Sequence, residues 1–227
     1  MSGRKRIAIY GGTFDPVHVG HIEVAKRVSE LFEIDELLFV PAQVAPHKLT
    51  RPVTPAIHRY SMLVLATQEH EAMRVSTFEL EAPNRRYTVD TLTHFRSKLD
   101  GSAELFFVMG ADSWSEITSW REWEKLLSLM NHIVVTRPGY EIDFDLVTSS
   151  IRSRIVDLRG SQQVADAVKQ ASGEKIFFTD VVMLENSATE IRRALREGDF
   201  TRLSMLVPDS VANYIRKYEL YRESNEA

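Results

Sequence analysis

Short apolar runs recur along this chain at intervals filled by amphipathic stretches, and that alternation constrains its fold more than any other property. Candidate strands cover residues 7–10, 37–40, 75–80, 105–109, 132–136 and 176–179. Between them apolar residues return at helical spacing: Ile22, Ala25, Val28, Leu31 and Phe32; then Ile57, Tyr60, Leu63, Val64 and Leu65; then Val89, Leu92, Phe95 and Leu99. A run too short for a helix followed by an amphipathic helix, repeated, is the pattern of a parallel sheet buried on both faces. The expectation is an α/β fold, a Rossmann-like doubly wound parallel sheet of about five to six strands with helices on both faces.

Such sheets bind ligands outside the carboxyl ends of their strands, where strand order reverses. The richest motifs should therefore follow strands. Gly11-Gly12 follows the first, residues 41–48 the second, Gly110-Ala111-Asp112 the fourth and Arg137-Pro138-Gly139 the fifth. Four such loops imply one shared crevice. The core is expected to span residues 1–185. Residues 143–173, polar with two weak helical patterns, read as an insertion, and residues 186–227 as a helical C-terminal portion on the same domain. That portion breaks at Gly198-Asp199 and starts afresh at Pro208, which suits a first helical position.

At 227 residues the chain can bury a full core, and its net charge of −4 argues against a general binder of nucleic acid or membrane surfaces. It has no cysteine, which excludes disulfides, thiolate metal sites and a cysteine nucleophile and fits a reducing compartment. Arg4-Lys5-Arg6 precedes only a short apolar run, far less than a secretory core, so it reads as a solvated leader and the protein as cytoplasmic. No apolar run approaches the roughly 20 residues needed to span a bilayer. A monomer or small homo-oligomer is expected.

The densest chemistry lies in Gly11-Gly12-Thr13-Phe14-Asp15-Pro16-Val17-His18-Val19-Gly20-His21, a strand exit leading into a helix start. Small residues at the exit let backbone approach a ligand, and histidines three apart on a first turn share a face. A metal would want a third ligand; Asp15 or Glu23 could offer one, but there is no His-Glu-x-x-His pattern and no second cluster. An anion is favoured, because free N–H groups and the helix dipole already attract negative charge there.

Other motifs are more equivocal by themselves. Lys48 of Pro46-His47-Lys48 is an ordinary solvated lysine unless its loop borders the site, where it could reach a polyphosphate. In Asn186-Ser187-Ala188-Thr189-Glu190-Ile191-Arg192, Ser187 and Glu190 form a capping box, yet Arg192 and Arg193 lie near a positive helix end, an arrangement suited to an anion. Trp114, Trp120 and Trp123 follow the fourth strand; one of them beside Asp112 could stack a ligand ring while the carboxylate takes ribose hydroxyls, or all three could be packing residues.

Together these residues resemble the bacterial nicotinate-nucleotide adenylyltransferases, within the nucleotidyltransferase superfamily marked by His-x-Gly-His. The likeness also runs through Arg59-Tyr60-Ser61-Met62, Phe78-Glu79-Leu80, Tyr87-Thr88-Val89-Asp90-Thr91-Leu92, Gly110-Ala111-Asp112-Ser113, Arg137-Pro138-Gly139-Tyr140 and Ser187-Ala188-Thr189-Glu190-Ile191-Arg192. It departs at Ala188, where family members often carry another hydroxyl, and in the length of residues 143–173.

The resemblance implies transfer of AMP from ATP to nicotinate mononucleotide, with magnesium accompanying ATP. It implies catalytic roles for His18, His21, Lys48 and Arg192. The ATP site would comprise Gly11, Gly12, Thr13, Phe14, His18, His21, Ser187, Thr189 and Arg192. The mononucleotide would meet Asp15, His47, Tyr87, Thr88, Asp112, Trp120, Arg121 and Arg137, with Tyr87-Thr88 binding the nicotinate carboxylate through backbone amides and Trp120 stacking the pyridine. Competing readings are another adenylyl acceptor (nicotinamide mononucleotide or phosphopantetheine), a non-catalytic ATP-binding module, and a zinc protein through His18 and His21.

Overall fold

The computed structural model of the chain describes residues 4–43, 53–81, 86–99, 101–136, 141–161, 164–180, 188–197 and 199–221. Along the first half run β1 (Lys5–Gly12), α1 (Val19–Leu31), β2 (Glu36–Pro41), α2 (Ala56–Thr67), β3 (Met73–Val75), α3 (Thr88–Leu99) and β4 (Ala103–Gly110). Then come α4 (Ala111–Ser115), a 3-10 turn (Ile117–Ser119), α5 (Trp123–Ser128), β5 (Asn131–Val135), α6 (Ser149–Arg152), β6 (Ile155–Asp157), α7 (Val164–Gln170) and β7 (Ile176–Thr179). Helices α8 (Ala188–Arg196), α9 (Phe200–Leu206) and α10 (Asp209–Lys217) follow.

The seven strands form one sheet in the order β3-β2-β1-β4-β5-β7-β6, every pairing parallel. The chain builds outward from β1 through β2 to β3, crosses by α3, and builds the other way from β4. The reversal therefore falls between β1 and β4, whose carboxyl ends diverge into loops and helix starts. Strand alternation explains why both faces are covered. Ala8, Tyr10, Phe106 and Val108 join one buried cluster with α1, α2 and the C-terminal helices; Ile7, Ile9, Leu105, Phe107 and Met109 join another with α3 and α5. Ile191, Leu203, Leu206, Val211 and Ile215 of α8, α9 and α10 belong to the first cluster, so these helices share the core of the sheet.

The strand count exceeds the expected five to six because of β6, three residues inside the segment read as an insertion. Residues 155–157 are too short, and too exposed at Asp157, to show a period; they gain order by pairing with β7. The third strand also lies earlier than expected, at Met73–Val75 rather than 75–80. Past Val75 the Ser76 hydroxyl accepts from the Phe78 N–H at 3.1 Å, and the Glu81 N–H returns to the Thr77 carbonyl at 3.0 Å, so local bonds turn the chain where its alternation imitates a strand.

Lys5 and Arg6 are not a solvated leader but the first residues of β1. Lys5 pairs with Glu36 at 2.7 Å, and Arg6 bonds Glu104 and the Phe32 carbonyl, each at 2.9 Å. Pro208 sits at the N-cap of α10, one position before the first helical residue.

Candidate active site

Beyond β1 the backbone turns through Phe14, which adopts φ 49°, a left-handed conformation costly for a bulky residue. Its ring is buried, edge-on to Tyr10 at 5.5 Å, Phe39 at 5.5 Å and His21 at 5.0 Å. Glycine is required beside it: a Cβ on Gly12 would come within 2.8 Å of the Phe14 ring.

The turn delivers His18 to the N-cap of α1 and His21 to its first turn, with the rings stacked at 3.6 Å. The His18 backbone N–H donates to His21 Nδ1 at 3.2 Å. Because a backbone N–H can only donate, Nδ1 carries the lone pair and the proton of neutral His21 resides on Nε2. His18 is buried, which pulls its pKa down to about 4 and keeps the ring neutral. The first turn of α1 carries no acidic residue, so nothing competes for an anion at its N-terminus.

A cleft of about 730 Å³ opens at the β1/β4 reversal. One side is formed by Gly11, Gly12, Thr13, Phe14 and His21, the other by Tyr87, Thr88, Asp112, Trp120 and Arg121. Tyr87 and Thr88 open α3, while Asp112 stands on α4 directly after β4. The Arg121 guanidinium lies over the Tyr87 ring at 4.8 Å, closing that end with a cation–π contact. The three tryptophans separate by environment. Trp114 is fully buried against Phe178 and donates from Nε1 to the Asp143 carbonyl at 3.2 Å, Trp123 packs on the core, and half-buried Trp120 lines the cleft.

Three of the expected site residues lie off the cleft wall. His18 is stacked behind His21. The Asp15 carboxylate accepts from the Tyr221 hydroxyl at 2.6 Å and the Thr54 N–H at 3.4 Å. Arg192, on α8, donates to the Asp15 carbonyl at 2.6 Å. Its neighbour Glu190 accepts from Arg202 of α9. His47, Lys48, Arg137 and Ser187 lie outside the described residues, as does the side chain of Thr189, whose backbone is in α8.

Sequence reasoning gave no role to two further residues at this site. Arg59 on α2 is 1% exposed and reaches four backbone carbonyls, and Glu79 lines the cleft between Thr91 and Arg86. Burial pushes the Glu79 carboxyl pKa up, opposed by its hydrogen bonds and by Arg86 and Arg59. The signal for Arg59 was its place on one helical face with Met62, Leu63 and Ala66. Among the described residues no three His, Asp or Glu side chains are grouped to hold a metal, and no helix is long and apolar enough to cross a membrane.

A parallel sheet whose switch point opens between a glycine-rich, histidine-bearing loop and a second loop cluster defines a class, and the cytidylyltransferase-like family profile matches residues 9–194. Two relatives carry the name probable nicotinate-nucleotide adenylyltransferase. The one from Thermoanaerobacter sp. (strain X514) is 35% identical over 100% of this chain and 99% of its own length; the one from Mycolicibacterium gilvum (strain PYR-GCK) is 36% identical over 96% and 97%. The Plasmodium falciparum nicotinic acid mononucleotide adenylyltransferase complexed with NaAD superposes with TM-score 0.70 at 23% identity, covering 96% of this chain and 97% of that one, and shares the fold. The chain belongs to the nicotinate-nucleotide adenylyltransferase family within the cytidylyltransferase-like class.

Proposed function

We propose that this enzyme is a nucleotidyltransferase of NAD biosynthesis that transfers AMP from ATP to nicotinate mononucleotide, forming nicotinate adenine dinucleotide and pyrophosphate. The observation that carries this reading is a cleft at the β1/β4 reversal, bordered by the phosphate-type loop on one side and by Tyr87, Thr88, Asp112 and Trp120 on the other. Full-length relatives of that name support it.

In the reaction a 5′-phosphate oxygen of the mononucleotide attacks the α-phosphorus of ATP. The new P–O bond forms as the bond to the bridging α,β oxygen breaks, and pyrophosphate leaves with that electron pair. Such a transfer depends on positioning and charge stabilisation more than on proton transfer. Gly11, Gly12, Thr13 and Phe14 would bring backbone against the triphosphate. The Nε2–H of His21 would donate to a phosphate oxygen whose charge grows in the transition state. His18, stacked on it and neutral, would hold its plane and supply a second imidazole edge. Lys48, Ser187, Thr189 and Arg192 would complete the polyphosphate site. A magnesium ion would neutralise the triphosphate and would be carried by its oxygens and by water, as suits a small hard cation.

On the acceptor side the Thr88 N–H, and the Tyr87 N–H that now donates to the Asp90 carboxylate at 3.2 Å, would take the nicotinate carboxylate, the ligand replacing Asp90 at Tyr87, and Trp120 would stack the ring. Asp112 would take ribose hydroxyls; Arg121, His47, Arg137 and Asp15 would border the phosphate and pyridine ends.

Pyrophosphate release from ATP, measured side by side with nicotinate mononucleotide, nicotinamide mononucleotide and phosphopantetheine, tests this reading. Fastest turnover with nicotinate mononucleotide is expected. Preference for either other acceptor, or no release with any, overturns it.

A further inference from the structure

Arg59 is buried, and among the described residues no carboxylate forms an ion pair with its guanidinium. Nε donates to the Thr54 carbonyl at 2.8 Å, Nη1 to Thr13 at 2.7 Å, and Nη2 to Ala42 at 2.6 Å and Gln43 at 3.1 Å. Those acceptors belong to three separate segments: the loop after β1, the exit of β2 and the approach to α2. A planar guanidinium with five fixed N–H vectors can tie three backbones at once; a lysine ammonium is a point donor and cannot span them. Burying this cation costs solvation, and burial lowers its pKa, with distant attraction from Asp15 opposing that effect. So costly a group fixes geometry.

The tie continues. The Ala42–Gln43 peptide, whose Ala42 carbonyl accepts from Arg59, gives its Gln43 N–H to the Glu79 carboxylate, and Glu79 Oε1 accepts from the Thr91 hydroxyl at 2.7 Å. Thr91 stands in the first turn of α3, where its N–H and that of Asp90 close on the Tyr87 carbonyl. The turn bearing Glu79 is anchored on its own account. The Ser76 N–H bonds the Phe39 carbonyl, and the Phe78 ring stacks on His94 at 4.0 Å with the Arg86 guanidinium 4.0 Å from its centroid.

We infer that Arg59, the Ala42–Gln43 peptide, Glu79 and Thr91 form a hydrogen-bonded relay that sets the spacing between the two walls of the cleft, with Arg59 and Glu79 as positioning residues. One end of the relay holds Thr13 of the phosphate loop, the other the helix start that carries Tyr87 and Thr88. Its effect on turnover rests on the adenylyl-transfer reading; its effect on the geometry does not. In-line transfer between two bound nucleotides is sensitive to errors of about an ångström in their separation, which can cost on the order of a hundredfold in rate.

Four variants of the full chain test the relay: Glu79→Ala, Glu79→Gln, Thr91→Val and Arg59→Lys. Each is followed by amide hydrogen exchange without substrate and by KM and kcat for both substrates. Glu79→Ala and Thr91→Val should speed exchange at Asp90 and Thr91 and raise the acceptor KM about tenfold with the ATP KM unchanged, as expected for a misplaced recognition element. Glu79→Gln should stay within about threefold of the parent, because its amide oxygen can accept from Gln43 while its NH₂ donates to the Thr91 hydroxyl. Arg59→Lys should raise both KM values and speed exchange at Ala42 as well. If Glu79→Ala lowers the yield of folded protein but leaves both KM values as in the parent, or if Glu79→Gln is as damaging as Glu79→Ala, the relay is wrong. Should the parent fail to turn over nicotinate mononucleotide, the reaction assignment falls, and the exchange data alone decide the relay: faster exchange upholds it, unchanged exchange overturns it.

Discussion

Acidification should strip this protein of stability in an amount set by two buried histidines. Burial holds the His18 pKa at about 4 and that of His132 at about 3, against 6.5 for an exposed imidazole; Arg154 near His132 lowers its value further and the Met130 carbonyl opposes. His132 Nδ1–H donates to that carbonyl at 2.9 Å, and its Nε2 meets no partner. The folded state therefore favours the neutral rings. The stabilisation is complete above the unfolded value and is lost as pH falls from about 6.5 toward the folded values.

Each tenfold difference in proton affinity between the folded and unfolded chain is worth about 1.4 kcal/mol, so the full contributions are about 3 kcal/mol for His18 and about 5 for His132. Near pH 5 the unfolded chain binds about two more protons than the folded one at these sites, and about 2 kcal/mol per ring is already gone. That is a large share of a typical domain's stability, about 5–15 kcal/mol. Glu79 has the opposite sign: its raised pKa gives stability that is fully present below the unfolded carboxyl value and is lost as pH climbs through the folded one. Urea unfolding followed by tryptophan fluorescence from about pH 7.5 down to about pH 5 measures the effect, and His132→Leu should remove about half of the drop. A stability that is flat across this range, or a drop of unchanged size in both His132→Leu and His18→Asn, would refute the reasoning.

If the His21 Nε2–H donates to the transition state, His21→Ala should cut turnover about a hundredfold or more in protein that still folds, with some loss of thermal midpoint from the missing contacts with His18 and Phe14; near-parental kcat would sink that role. Gly12→Ala forces a Cβ to 2.8 Å from a Phe14 ring enclosed by Tyr10, Phe39 and His21. It should cost about 1–3 kcal/mol by denaturant titration and, by pushing Phe14 toward His21, lower kcat as well. A fully stable and active variant would mean that the ring has room to move.

Much of the fold was legible because the inner strands are buried on both faces and so write themselves as unbroken apolar runs, as at Ile7, Ile9, Phe106, Phe107, Ile133 and Val134. The edges were not. β3 and β6 are three residues each and acquire their conformation from a neighbouring strand, a cause that lies outside their own sequence. On α2 the apolar pattern pointed to Ile57 and Val64, which are 64% and 40% exposed, while Arg59 turns inward. Charge normally means surface; here carbonyls from three distant segments make burial possible, and no local pattern encodes them. The glycines and Asp112 could be read as cleft residues because each sits at or just past a strand end, and His21 because it opens the helix that follows β1, whereas Tyr87, Thr88, Trp120 and Arg121 were reached through the family resemblance. The contacts of Asp15 with Tyr221 and of Gln43 with Glu79 could not, being set by tertiary folding alone.

The bond from Tyr221 to Asp15 joins residues 206 positions apart, one beside the phosphate loop and the other beyond the last helix. A ribosome adds about 5–20 residues per second, so the two partners emerge well apart in time. The loop that is translated first therefore waits for 206 further residues before the hydroxyl that secures it appears. Until then β1 can pair with β2 and collect its apolar neighbours, but the Asp15 carboxylate lacks the Tyr221 hydroxyl. The order of that loop is in this sense acquired only after residue 221 has emerged, and a chain terminated before it would hold nucleotide poorly even where its sheet had begun to form.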